Sequence, residues 1–137
     1  ISEVQMEVGN VATPFEYRSY GEELALCQRY LYSLTNGGTG YVCPFWQYNN
    51  NATINGWVKF PVTMRAEPSL VYNTQGQTNW VVGYGSGSGL SMDTFNLNEQ
   101  TLDSAVLYNS QVNFGIGTSG GFYVASASAV IQFDAEL

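Results

Sequence analysis

The chain has 137 residues and a net charge of −7, with four basic residues and no histidine. So few cations exclude the basic surface that nucleic-acid binding needs. The lack of histidine excludes the Ser-His-Asp triad and histidine-containing zinc sites. Only 11% of residues are charged, whereas there are 15 glycines and 10 tyrosines, a balance typical of an all-β protein with many turns.

A short helix is the first predicted element. Ser19-Tyr20-Gly21-Glu22 matches the S-x-x-E capping box, and Glu22 to Leu26 should form the helix that follows it. From Cys27 the pattern changes to a two-residue alternation, which predicts a strand over residues 27–34. The glycine-rich turn at 35–40 ends that strand.

Short strands separated by turns fill the rest of the chain. They are predicted at 41–48, 53–62, 69–73, 79–84, 91–97, 105–108, 112–116 and, as one long strand, 122–133. The Gly/Ser run at 83–89 predicts a mobile loop. Eight or so strands at this spacing predict an antiparallel β-sandwich with one short N-terminal helix. No apolar run reaches the ~18 residues that a membrane-spanning helix needs.

Three segments carry a resemblance to a known family. They are QMEVGNVATPFEYRSYGEELALCQRYLY at 5–32, FPVTMRAEPSLVY at 60–72 and DAEL at 134–137. In this order they resemble the C-terminal region of bacteriophage tail-fibre and tail-spike proteins. The resemblance implies that residues 1–18 end a preceding module and that residues 19–137 form a terminal knob of jelly-roll type.

The resemblance further implies a homotrimer at the tip of a virion fibre, assembled in the host cytoplasm, which attaches the particle to a cell-surface receptor. The alanine- and serine-rich last strand, together with Tyr30 and Tyr32, is the predicted trimer contact. A module that only caps and trimerises the fibre is a second hypothesis, and a fragment of a polysaccharide-degrading spike is a third. No cofactor or metal is expected, because metal-ligand spacing is lacking.

Aromatic and amide side chains near polar turns suggest where a glycan receptor would bind. An aromatic ring covers the apolar face of a sugar, while amides hydrogen-bond to its hydroxyls. The predicted ligand-binding residues are Trp46, Tyr48, Gln77, Asn79, Trp80 and Tyr84. Trp57 and Tyr108 follow alternating patterns and are instead assigned to the core.

The enzyme hypothesis depends on paired carboxylates. Glycoside cleavage uses two of them at a defined separation, and the candidates are Glu67, Asp93, Glu99 and Asp103. Their spacing in the sequence does not place any two on facing strands, so the prediction is a protein without catalysis. Cys27 and Cys43 are expected to be buried free thiols.

Overall fold

The fold was analysed in a computed structural model, which describes residues 8–11, 13–14, 17–35, 37–47, 53–73, 76, 81–85 and 88–136, with the backbone alone at 81–85 and 88. Helix α1 covers Tyr20–Gln28. The strands are β1 (Leu31–Ser33), β2 (Gly40–Trp46), β3 (Ile54–Lys59), β4 (Ser69–Tyr72), β5 (Val81–Gly85), β6 (Ser88–Met92), β7 (Asn96–Asn98), β8 (Ser104–Asn109), β9 (Ser119–Val124) and β10 (Ile131–Asp134).

These strands form two antiparallel sheets. One has three strands in the order β1-β10-β4, and the other has seven in the order β6-β5-β9-β2-β3-β8-β7. The predicted all-β sandwich with one short helix is therefore confirmed. The jelly-roll strand order remains a prediction.

Aromatic side chains join the two sheets. Phe133, on β10, contacts Phe60, which follows β3, with 5.0 Å between ring centroids. Tyr72, on β4, meets Phe95 edge to face at 6.0 Å, and Phe95 in turn meets Phe122 of β9 at 5.9 Å. The four phenylalanines are 4% exposed or less, so one continuous apolar core lies between the sheets.

The capping box begins α1 as predicted. The Ser19 hydroxyl accepts from the Glu22 backbone N–H at 3.3 Å, and the Glu22 carboxylate accepts from the Ser19 N–H at 2.8 Å. The helix runs on to Gln28, however, so the strand predicted from Cys27 is shorter and begins at Leu31. A hydrophobic pattern indicates helix or strand only where one face of the element is buried. No residue of α1 is buried, so the two-residue alternation at its end did not indicate a strand.

Replacing Ser19 with alanine is expected to fray α1 without unfolding the sandwich. Loss of an N-cap hydroxyl should speed amide hydrogen exchange in residues 20–28 about fivefold. Hydrogen bonds from the Ser19 backbone and hydroxyl lower the pKa of Glu22, so its contribution is present at neutral pH and disappears as pH falls through that lowered pKa. The difference between variant and wild type should therefore narrow in acid. An equal difference at all pH values would contradict the capping box.

Four predictions about the second half of the chain are wrong. The long strand at 122–133 is two strands, β9 and β10, which belong to different sheets. Residues 83–85 and 88–89 of the Gly/Ser run belong to the paired antiparallel strands β5 and β6, in which Gly85 pairs with Ser88. Residues 112–116 form no strand, whereas 91–97 contains parts of two, β6 and β7. At 122–133, pairing with strands far away in the chain decided what the local composition left open.

The two tyrosines of the predicted trimer contact lie in different environments. Tyr32 packs into the core, with its ring centroid 5.9 Å from that of Phe60. Tyr30 is 43% exposed, and the Arg65 guanidinium lies 5.0 Å from its ring centroid. Of the two tyrosines, Tyr30 alone therefore presents a largely accessible ring.

The two cysteines are free thiols in different environments. Cys43 is buried, and burial raises its pKa to about 12. Cys27 is exposed, contrary to the prediction that both are buried, because α1 turns none of its residues into the core.

Candidate functional site

Four adjacent strands of the seven-stranded sheet, β2, β3, β8 and β7, carry polar and aromatic side chains on their outer face. The alternate residues, including Phe45, Ile54, Val58 and Leu107, are buried beneath them. The outward positions on these strands include Pro44, Trp46, Asn55, Trp57, Lys59, Asn96, Asn98, Ser104, Val106 and Tyr108. Lys59 is the one charged residue in this set, so the face is nearly neutral.

A single register row crosses this face. Trp46 on β2 pairs with Asn55 on β3, Asn55 pairs with Tyr108 on β8, and Tyr108 pairs with Asn96 on β7. Directly opposed residues have Cβ atoms about 5 Å apart. With strands about 4.8 Å apart, the row extends about 14 Å, a length that suits an elongated ligand.

Trp46, Asn55, Trp57 and Tyr108 form what we call the aromatic–amide cluster. Trp46 is 39% exposed and Trp57 is 48% exposed. Tyr108 is half-buried, and Trp57 lies two residues from Asn55 on the same face. Rings of this size are usually withdrawn from water, so two partly exposed tryptophans on one sheet face suggest a binding surface.

Asn55 is the unusual member of the cluster. Its side chain is 5% exposed, and its Nδ2 has no hydrogen-bond partner among the residues that the structure describes. A buried polar group normally has a partner, and leaving one unsatisfied costs about 1–3 kcal/mol. The cluster therefore holds an unused donor between two aromatic neighbours.

Hydrogen bonds from the residue after Trp46 fix the end of β2. The Gln47 backbone N–H donates to the Thr118 carbonyl, and the Gln47 carbonyl accepts from the Gly117 N–H, both at 2.8 Å. The Gln47 side chain donates to Asn113 Oδ1 at 2.6 Å and accepts from the Phe114 N–H at 2.9 Å. Because Gln47 is 1% exposed, these bonds are shielded from water and hold the backbone beside Trp46 in place.

The six predicted ligand-binding residues have different outcomes. Trp46 is on the outer face and partly exposed. Tyr84 is in β5, where its backbone pairs with Gly89 and Gly121. The other four, Tyr48, Gln77, Asn79 and Trp80, lie outside the described residues.

The assignment of Trp57 to the core is wrong, and Tyr108 is only half-buried. Trp57 is outward, because the core-facing residues of β3 are Ile54, Gly56 and Val58, at two-residue spacing, whereas Asn55 is buried on the opposite face. The alternating pattern at Trp57 was matched to the wrong face of the strand, because Trp57 shares a face with Asn55 and not with Ile54. Strict alternation would have put Asn55 and Trp57 together on one face.

Two of the four candidate catalytic carboxylates, Asp93 and Asp103, accept hydrogen bonds from neighbouring loops. Asp93 accepts from the Gly76 N–H at 2.8 Å and also from the Gln111 side-chain amide. Asp103 accepts from the Thr63 hydroxyl at 2.7 Å. Glu67 and Glu99 are exposed. Within the described ranges, no three His, Cys, Asp or Glu residues lie close enough to hold a metal ion.

Comparison with known proteins identifies no relative. No protein-family model, curated protein or solved structure matches this chain. Among the described residues, no helix has the length and apolar character required to cross a membrane.

Proposed function

We propose that this chain is the receptor-binding domain at the tip of a phage tail fibre or related virion fibre, where it holds a cell-surface glycan without catalysing a reaction. The observation that carries the proposal is the aromatic–amide cluster on a stiff, nearly neutral sheet face. The motifs at 5–32, 60–72 and 134–137 support the virion assignment by resemblance.

The chemistry of the face suits neutral sugars. Trp46 and Trp57 offer ring faces for the apolar side of a pyranose, and amides such as Asn96 offer hydrogen bonds to its hydroxyls. The chain's net charge of −7 repels anionic polymers at long range but has no effect on uncharged ones. Neutral glycans are therefore the favoured receptors.

The proposal includes a homotrimer with the jelly-roll strand order. Helix α1 has no buried residue, and it exposes 81% of Tyr20 and 40% each of Leu24 and Leu26. Exposed apolar side chains of this kind support association with further copies. The same feature favours the second candidate function, a module that trimerises the fibre without contacting a receptor.

Adsorption of the labelled domain to a panel of bacterial strains tests the proposal. Truncating both tryptophans, in Trp46→Ala/Trp57→Ala, should weaken binding to the recognised strain at least about tenfold, because two stacking surfaces are removed. Tyr41→Ala is the matched control, since it removes a 68% exposed ring of β2 that lies outside the aromatic–amide cluster.

Sedimentation velocity should give the same assembly state for wild type and both variants. Undiminished adsorption by the double variant would show that the sheet face is not the receptor site. Failure of the wild type to adsorb to any strain, with assembly intact, would favour the structural module. Release of reducing ends from host polysaccharide would instead favour the spike hypothesis.

A further inference from the structure

We infer that Asn55 is the specificity-determining donor of the sheet face, giving its Nδ2 hydrogen to an oxygen of a neutral pyranose that stacks on Trp57 and Trp46. This inference rests on the proposed function and deepens it. It names a residue that the sequence patterns did not indicate, and it places sugar recognition at the centre of the sheet rather than on the loops.

The first argument is the unsatisfied donor. Asn55 Nδ2 has no hydrogen-bond partner in the described part of the chain, although the residue is only 5% exposed. An apolar residue at this position would avoid the loss of hydration and would suit a strand better than asparagine does. A buried amide without a hydrogen-bond partner is explained if a bound ligand supplies the acceptor.

The second argument is the position of that donor. Register places Trp46 directly opposite Asn55 on one side and Tyr108 directly opposite on the other. Trp46 is 39% exposed, so its ring can turn outward by rotation of the side chain alone. The proposal requires this rotation to open Asn55 to the outer face while the backbone, held by the Gln47 hydrogen bonds, stays in place.

The third argument concerns the class of ligand. A primary amide nitrogen donates and does not accept, so the ligand must present an oxygen acceptor, such as a ring hydroxyl or an N-acetyl carbonyl. The flanking rings require an adjacent apolar C–H face on the ligand. The ligand should also be uncharged, because Lys59 is the one charged residue among the outward positions. A neutral hexose or N-acetylhexosamine meets all three conditions.

Saturation-transfer NMR with methyl glycosides of glucose, galactose, mannose and N-acetylglucosamine tests the inference on the whole chain. We expect at least one glycoside to bind and to change the fluorescence of the tryptophans. Asn55→Leu, which replaces the amide by an apolar group of the same branching, should weaken that binding at least about tenfold. Its melting temperature should equal or exceed that of wild type, because the buried donor has been removed.

Asn98→Leu is the matched control, because it makes the same substitution on the same face but outside the aromatic–amide cluster. It should bind the glycoside as the wild type does. If Asn55→Leu does not fold, the smaller and β-branched Asn55→Val provides the same comparison.

Three results would overturn the inference. One is equal glycoside binding by wild type and Asn55→Leu. Another is dissociation of the assembly by Asn55→Leu, which would show that a second copy of the chain completes the donor. The third is wild-type adsorption to cells with no glycoside bound, which would indicate a receptor of another chemistry: host attachment would still stand, but its glycan specificity would not. Failure of the wild type to adsorb to any strain would instead count against the proposed function.

Discussion

Replacing Gly56 with alanine is expected to destabilise the domain by about 3 kcal/mol or more, because overpacking inside a core forces backbone and side-chain shifts. The added Cβ would lie 2.4 Å from Phe122 Cε2 and 3.2 Å from Cys43 Sγ. Phe122 cannot move aside, since it is 1% exposed and stacks on Phe45 with 5.3 Å between ring centroids. Urea unfolding of wild type and variant measures the loss.

Gly121→Ala provides the matched control for this substitution. Its Cβ would also come too close to a ring, at 2.7 Å from Tyr41 Cδ1. Tyr41, however, is 68% exposed and can turn away into solvent, so the expected loss is less than about 1 kcal/mol. Equal losses for the two variants would show that the Phe122 stack is not the rigid part of the core.

Replacing Phe133 with alanine is expected to cost about 3–5 kcal/mol, the range for removing a fully buried phenylalanine. Phe133 has no exposed surface, and it lies within 5.0 Å of the Phe60 ring centroid and 6.2 Å of that of Tyr32. It belongs to the three-stranded sheet, yet Phe60 follows β3 of the seven-stranded sheet. Its removal should therefore weaken both sheets together.

Denaturant unfolding followed by two probes tests whether the Phe133 contact couples the two sheets. In a Trp80→Phe background the remaining tryptophans, Trp46 and Trp57, belong to the seven-stranded sheet, so their fluorescence reports on that sheet, whereas far-UV circular dichroism reports on both. The two transitions of Phe133→Ala should coincide at a lower denaturant concentration than in wild type. Val71→Ala, at a 44% exposed position of the three-stranded sheet, should lose less than about 1 kcal/mol. Separate transitions would mean that the sheets unfold independently.

The candidate site could be predicted in part. Trp46 was predicted because it is an aromatic residue close to a polar turn, and it lies on the accessible face of the sheet. Asn55 could not be recognised from its own residue type, because asparagine is common in turns and its value here depends on burial between two neighbouring strands. Trp57 was assigned to the core because its alternating pattern was matched to the buried face of β3, whereas the structure puts it on the outer face.

The sequence by itself determined the features that depend on a few neighbouring residues. The capping box needs only Ser19 and Glu22, three residues apart, and most strand positions follow from alternating side chains between turn residues. The tertiary structure decided which strands pair, that 122–133 divides between two sheets, and that Asn55 lies between Trp46 and Tyr108. Those outcomes depend on contacts between residues far apart in the chain, and their free energy comes from burial and register, which no local segment contains.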